Sequence, residues 1–342
     1  MSETASVPAP EPKVGPASPW RDRSVLLTGA TGLLGGYVAR SLILGGAGLV
    51  TLVRDRAPES LFSRWGLHER AATVRGDVTD QALLERVIGE YEVEVVIHLA
   101  AQTLVTVANR NPVSTFDTNI RGTWALLEAC RRSPRLGAVV VASSDKAYGD
   151  QGGAPYTEDL PLLGAHPYDA SKAAADRLAQ TYAATWGLPI GITRCGNLFG
   201  GGDLNWSRVV PGTVRSLLRG ERPVVRSDGS PVRDWFYVED GAAATLHLAA
   251  RLLEDRSLHG QAWNLSAEAP LSVSALVAQI TAQMGLEVEP VIQGQGRGEI
   301  QSQRLDAAKA RRRLGWAPRF SMAEGIDRSV AWYRDLLTGG AA

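Results

Sequence analysis

A serine, an aspartate and a lysine stand in a row at Ser144-Asp145-Lys146, and 24 residues after the serine comes Tyr168-Asp-Ala-Ser-Lys172. Tyrosine is a poor base at its ordinary pKa of about 10. Four positions apart on a helix, Tyr168 and Lys172 share a face, so the ammonium, together with a cationic nicotinamide ring above the tyrosine, would stabilise a phenolate and bring that pKa down. With a serine hydroxyl in reach, the set is suited to take a proton from a sugar hydroxyl while the carbon beneath loses a hydride. Asp145 and Lys146 suggest a second chemical role, as an acid and a base for eliminating water.

Such side chains need a scaffold that delivers them to one place. The run Leu136-Gly-Ala-Val-Val-Val141 reads as a buried parallel strand, which puts Ser144 at the carboxyl edge of an open sheet, where α/β folds bind ligands. Further strands are expected at 24–28, 49–53, 73–75, 93–99 and 189–194. Between them the apolar spacing predicts helices at 33–44, 80–90, 112–132 and 169–186. Alternating strands and helices mean an α/β fold with a doubly wound parallel sheet. Beyond about Gly196 the alternation loosens, with helices near 206–219, 240–254, 272–284 and 322–337. The expected organisation is a dinucleotide-binding domain over 21–195 and a smaller mixed α/β substrate lobe over 196–342. Residues 1–20 hold five prolines among alanines and serines, the composition of a disordered tail.

The cofactor follows from the first strand–helix turn, Thr28-Gly29-Ala-Thr31-Gly32-Leu33-Leu34-Gly35. Glycines there let the backbone turn sharply and approach a pyrophosphate, which the helix N-terminus attracts. A tight turn wants glycine anyway, but between a strand and a helix the binding reading leads. Asp55, just after the second strand, is placed to bond the adenosine ribose hydroxyls. Arg54 and Arg56 flank it and offer the alternative of a 2′-phosphate, or simply a solvated turn of charges. NAD is favoured over NADP. Asp77 and Val78 close the third strand, with Asp77 placed for the adenine amine. Leu99, Ala100 and Ala101 give small residues where a strand passes the cofactor.

Lys plus Arg equals Asp plus Glu, 36 each, and no basic stripe interleaved with aromatics appears, which argues against nucleic acid as a partner. No apolar stretch is long enough for a bilayer, and no signal peptide is visible. Two cysteines, Cys130 and Cys195, lack metal-like spacing, so neither a disulfide framework nor a metal is expected, and a cytoplasmic location fits.

Together these motifs resemble the extended short-chain dehydrogenase/reductase family, over about Ser24 to Leu337. Arg233-Asp-Trp-Phe-Tyr-Val238 and the closing Leu305-Asp306, Leu314-Gly-Trp316 and Trp332-Tyr333 agree with it. Within the family, His98-Leu-Ala-Ala-Gln102-Thr-Leu-Val105, Ser144-Asp-Lys-Ala-Tyr148 and Gly196-Asn197-Leu-Phe-Gly-Gly-Gly-Asp203 are most similar to the CDP-glucose 4,6-dehydratases. The resemblance implies a Rossmann-type fold and a nucleotide-sugar substrate. It implies Ser144, Tyr168 and Lys172 for redox steps, Asp145 with Lys146 for elimination, and Asn197 and Arg233 at the sugar-nucleotide diphosphate. Gln102 and Arg208 are expected substrate contacts beside them. Three departures stand out: the glycine loop lacks the family's usual His and Lys, Ser207 stands where an Asp is expected, and the run at Arg233 is that of other nucleotide-sugar enzymes. The expected reaction is 4,6-dehydration with Asp145 as acid and Lys146 as C5 base. The alternatives are 4-epimerisation or decarboxylation on the same redox half, or a non-catalytic nucleotide-binding protein. Relatives pair through the helices equivalent to 112–132 and 169–186, so a homodimer or tetramer is expected.

Overall fold

The computed structural model describes residues 18–295 and 300–339. Short apolar runs without polar alternation suit a sheet buried on both faces. Six of them form parallel strands: β1 (Ser24–Thr28), β2 (Gly48–Val53), β3 (Ala72–Arg75), β4 (Val95–His98), β5 (Ala138–Ala142) and β6 (Ile190–Cys195). A seventh, Gln261–Leu265, joins at the edge, giving the order Gln261–Leu265, β6, β5, β4, β1, β2, β3. Successive side chains point to opposite faces. Val25, Leu27, Ile97 and Val140 therefore enter one core, and Leu26, Val50, Val96, Val139 and Ile192 the other. The helices Leu33–Leu44 and Val238–Glu254 cover the first face, and Gln81–Glu90 and Gly122–Arg131 the second. This is the doubly wound α/β sheet that the sequence predicts.

The boundary at 195/196 is crossed twice. Val238–Glu254 packs on β5 and β6, and Gln261–Leu265 pairs along the whole of β6. Without them β6 would present bare backbone donors and an uncovered apolar face, and the chain able to cover both comes only after an excursion through the second lobe. That lobe is built on Val232–Tyr237. This strand pairs in parallel with Ser302–Gln303 through Val232 and Arg233, in parallel with Asn197–Phe199 through Trp235 to Tyr237, and antiparallel with Pro270–Ser272.

The single helix expected over 112–132 is interrupted. Pro112–Phe116 runs through a wide turn at Asp117–Arg121 into Gly122–Arg131, and a separate helix, Val105–Arg110, precedes it. The extra residue in the turn brings the Asn119 side chain inward, where it is 1% exposed. Most of the expected tail, residues 1–17, lies outside the described residues. Its last member does not behave as tail: Trp20 is buried in the core with Val25 and Leu42, because a large apolar ring within reach of a core is drawn in whatever its neighbours. Among the described residues no helix is long and apolar enough to cross a membrane.

Candidate active site

Except for Arg56, which lines a smaller neighbouring pocket, the site residues named from the sequence line one cleft of about 1690 Å³ at the carboxyl ends of the parallel strands. At its floor the chain leaves β1 through Gly29, whose φ is +78° and whose missing Cβ would sit 2.7 Å from the Ala100 nitrogen. Only glycine meets both demands. Gly32 then caps the helix Leu33–Leu44 with no side-chain bond, which leaves the first-turn N–H groups for an anion. A Cβ on Gly35 would collide with the Gly29 carbonyl, so this glycine serves close packing of the turn. The cradle fits a dinucleotide pyrophosphate. Further along the cleft Arg54 lies 2.7 Å from Asp55 and 3.9 Å from Asp77. Arg54 is therefore committed to carboxylates. Asp77 gives one oxygen to the Thr79 amide at 2.9 Å and hydroxyl at 2.8 Å. Partial burial works to raise its pKa, but these bonds and the Arg54 charge outweigh it and hold the carboxyl below its usual range.

Behind the turn a buried chain of hydrogen bonds ties the sheet to the helix Pro167–Trp186. Thr28 Oγ1 accepts from the Ala100 amide (3.2 Å), and its hydroxyl donates to His98 Nδ1 (2.8 Å), the unprotonated nitrogen because Thr123 spends its own hydrogen on Asn119. His98 Nε2–H donates to Thr123 Oγ1 (3.1 Å), which donates to the Asn119 carbonyl (2.7 Å). Burial, and then the charge of Lys172, push His98 down to about 3, so it is a neutral strut. The Asn119 side chain accepts from the Gln102 amide (2.7 Å) and donates to Ser171 Oγ (2.9 Å), one residue before Lys172.

Ser144 follows β5, and its Oγ contacts Asp145 Oδ1 at 3.0 Å and also the Tyr168 hydroxyl. Tyr168 and Lys172 sit in the first turns of the helix Pro167–Trp186, which opens on a proline, a residue suited to that position. Lys172 is buried and donates to the Ala142 carbonyl at 2.8 Å. Burial pushes its ammonium down to about 8 against the opposing pull of Asp176. Lys172 by itself does not bring the Tyr168 phenol down. The surrounding protein pushes the phenol up to about 12, through burial first and also the Asp145 charge, while the Ser144 hydrogen bond and Arg208 work the other way. A lysine whose head is turned to a backbone carbonyl, and whose own charge is disfavoured by burial, does not outweigh an apolar floor.

Asp145 is 2% exposed, so it is not half of a surface ion pair. One oxygen meets Ser144, and Oδ2 is buried without a partner among the described residues. The ammonium of Lys146 reaches across the cleft to Gln303 Oε1. Arg233 donates to the carbonyls of Val232 (2.9 Å) and Ile300 (2.8 Å) while lining the cleft. Arg208 lies 3.0 Å from Asp203, and Asn197 holds its Nδ2 buried without a partner among the described residues. The Gln102 side-chain amide is turned into its own loop, bonding Leu104 N (2.7 Å) and O (3.2 Å).

Two residues of the site were not singled out in the sequence. Asn119 lies in the middle of an amphipathic helix and is turned inward only by the wide turn. Gln303 belongs to a two-residue strand whose pattern carries no signal.

Residues 25–266 match the NAD dependent epimerase/dehydratase family. The chain is 30% identical over 335 residues to the CDP-glucose 4,6-dehydratase of Salmonella typhimurium, covering 94% of this chain and 93% of that protein. Among solved structures, the dTDP-glucose 4,6-dehydratase of Bacillus anthracis in complex with NAD superposes with a TM-score of 0.81 at 26% identity, covering 93% of this chain and 98% of the other. UDP-glucose 4-epimerase from Thermotoga maritima with UDP-glucose gives 0.82 at 27% identity, covering 92% and 99%.

Proposed function

This chain belongs to the NAD dependent epimerase/dehydratase family, and we propose that within it the protein is a nucleotide-sugar 4,6-dehydratase forming a 4-keto-6-deoxy sugar nucleotide. The carrying observation is the placement of Asp145 and Lys146. Asp145 is buried between Ser144 and the cleft with one carboxyl oxygen unpartnered among the described residues, and Lys146 extends across the same cleft. A 4-epimerase needs the redox residues but no acid and base pair beside them.

The glycine turn with Gly29, Gly32 and Gly35, the residues Thr31, Leu33 and Leu34, Asp55, Asp77 and Val78, and the segment Leu99 to Ala101 would hold the dinucleotide. A dinucleotide held there would supply the acceptor for the C4 hydride and the donor for its return at C6, and its cationic ring would favour the Tyr168 phenolate. Tyr168 removes the C4 hydroxyl proton, held by Ser144 and supported by Lys172. The 4-keto group acidifies C5, where neutral Lys146 takes the proton. Asp145 donates to the departing C6 hydroxyl, which leaves as water, and Lys146 returns its proton to C5. Tyr168 has then gained the proton that Asp145 has lost. Ser144 Oγ touches both groups, so it offers the path that resets them. Arg233, Arg208, Asn197 and Gln102 are the proposed substrate contacts, with a guanidinium suited to the diphosphate.

Incubation with CDP-, dTDP-, GDP- and UDP-hexoses, followed by mass spectrometry, tests this reading. Loss of one water with a new carbonyl is expected from at least one. An isomer of unchanged mass would make the chain an epimerase, and binding without turnover would make it a nucleotide-binding protein. We also infer a homodimer, or a dimer of such dimers, through the faces where Val113 (73% exposed), Phe116, Trp124 and Trp186 lie open. A monomer in light scattering at micromolar concentration would overturn that.

A further inference from the structure

Of the groups around the proposed elimination pair, one comes from far along the chain. Gln303 lies 157 residues beyond Lys146, is 0% exposed, and lines the cleft. In its ammonium form Lys146 has only hydrogens to give, and the Gln303 atom facing it is the carbonyl oxygen. We propose that Gln303 is a positioning residue for the elimination step, its Oε1 accepting from Lys146 Nζ and setting where that amine points in the cleft. The inference rests on the assignment of Lys146 as the C5 base.

The backbone that carries Gln303 is held from two sides. Ser302 and Gln303 pair with Val232 and Arg233. On the other flank the Tyr156 amide donates to the Arg304 carbonyl (2.7 Å), the Asp306 amide donates to the Tyr156 carbonyl (2.9 Å), and the Tyr156 hydroxyl reaches the Ser302 carbonyl (3.3 Å). The Leu305 amide is anchored to Asp234 Oδ2 at 3.1 Å. Upstream, Arg233 donates to the Ile300 carbonyl. A side chain on so constrained a segment has little freedom, and it passes that restriction to a lysine, whose four-carbon stem otherwise samples many rotamers. The strand that carries Arg233, a proposed diphosphate contact, thus also fixes the register of the residue that aims the base.

The experiment compares Gln303→Met, which keeps length and loses the acceptor, with Gln303→Glu, which replaces it by a charge. Among the described residues, the titratable and charged groups around Lys146 are Asp145 beside it, His166, Tyr168 and Asp169 at the start of the facing helix, Arg208 across the cleft, Arg233 and Asp234 on the facing strand, and Tyr156. None of these is altered by either variant. Loss of a hydrogen bond to a charged group predicts a fall in kcat of about 10- to 100-fold for Gln303→Met. NAD affinity should stay unchanged, and reduced cofactor should accumulate, because C4 oxidation precedes the affected step. The acid limb of the kcat profile should move to lower pH in Gln303→Met, where the ammonium loses an acceptor. In Gln303→Glu it should move to higher pH, where the ammonium gains an anion. A role confined to packing would not move the limb in opposite senses in the two variants.

In a Lys146→Ala background, Gln303→Met should cost nothing further. Additive losses there, or wild-type kcat and pH profiles in both variants, would overturn the inference while Lys146→Ala alone still blocks water loss. If Lys146→Ala dehydrates at the wild-type rate, the dehydratase reading itself fails first.

Discussion

The redox trio and the elimination pair share one loop, yet they are built differently. Ser144, Tyr168 and Lys172 come from the end of one strand and the first turns of the next helix. Their supports are local to the doubly wound domain: the Ala142 carbonyl, the Asn119–Ser171 bond, and Asp176 one turn beyond Lys172. Asp145 and Lys146 sit beside Ser144, but Lys146 reaches a partner, Gln303, on a strand of the other lobe. On the proposed roles, the side chains of the hydride step come from one domain, and those of the water loss draw on both.

Tyr168→Phe should break the shared trunk. It removes the first base, so turnover should fall by on the order of 10³-fold or more while NAD still binds in a direct titration. Lys146→Ala or Asp145→Asn should instead separate the halves, with overall turnover down by about 10²- to 10³-fold and C4 oxidation spared. The check is accumulation of reduced cofactor, read by its near-ultraviolet absorbance, with a 4-keto hexose that still carries its C6 oxygen. If these variants also lose C4 oxidation, the two regions are not separable.

Asp176→Asn probes the supports of the trio. The Asp176–Arg194 pair is fully buried and bidentate, with bonds of 2.8 and 3.0 Å. Breaking it strands a guanidinium in the core, so unfolding free energy should drop by about 3–5 kcal/mol in urea titration. By contrast, Asp55→Ala removes an exposed pair, and stability should change by less than about 1 kcal/mol.

Lys172 gives the comparison a pH axis. It titrates near about 8 when folded, below its ordinary value of 10.5, so between these values the unfolded chain binds more protons. Its contribution to stability is present above the upper value and is lost as pH falls through the lower one. Urea titrations from pH 8 to 10 should show a rising contribution, on the order of 2–3 kcal/mol over the full shift, that Lys172→Met abolishes. Above pH 10 the raised Tyr168 phenol opposes the trend, because the unfolded tyrosine then releases its proton first. The smallest effect concerns the cofactor. With Arg54 bound to two carboxylates, NAD should bind more tightly than NADP, and Asp55→Ala should narrow the gap by about tenfold or less. Tighter NADP binding in the wild type would show that Arg54 or Arg56 governs the site.

Strand and helix positions were legible because buried parallel strands and amphipathic helices impose their period on the chain. Leu33–Leu44 and Gln81–Glu90 match the expected spans almost residue for residue, the latter with Asp80 capping through the Leu83 amide. The break in the helix after Phe116 was not legible, because inserting one residue into a turn leaves apolar spacing nearly intact while rotating Asn119 inward.

The doubly wound sheet, the glycine turn and the serine–tyrosine–lysine spacing were legible in the chain by itself, since each leaves a local period or motif in the sequence. Only the tertiary structure decided that the surrounding protein by itself pushes the Tyr168 phenol up. It alone closed the sheet with Gln261–Leu265, and it alone set Gln303 against Lys146. Burial and partners across the cleft are sums over segments that are distant in sequence, and no local spacing records them.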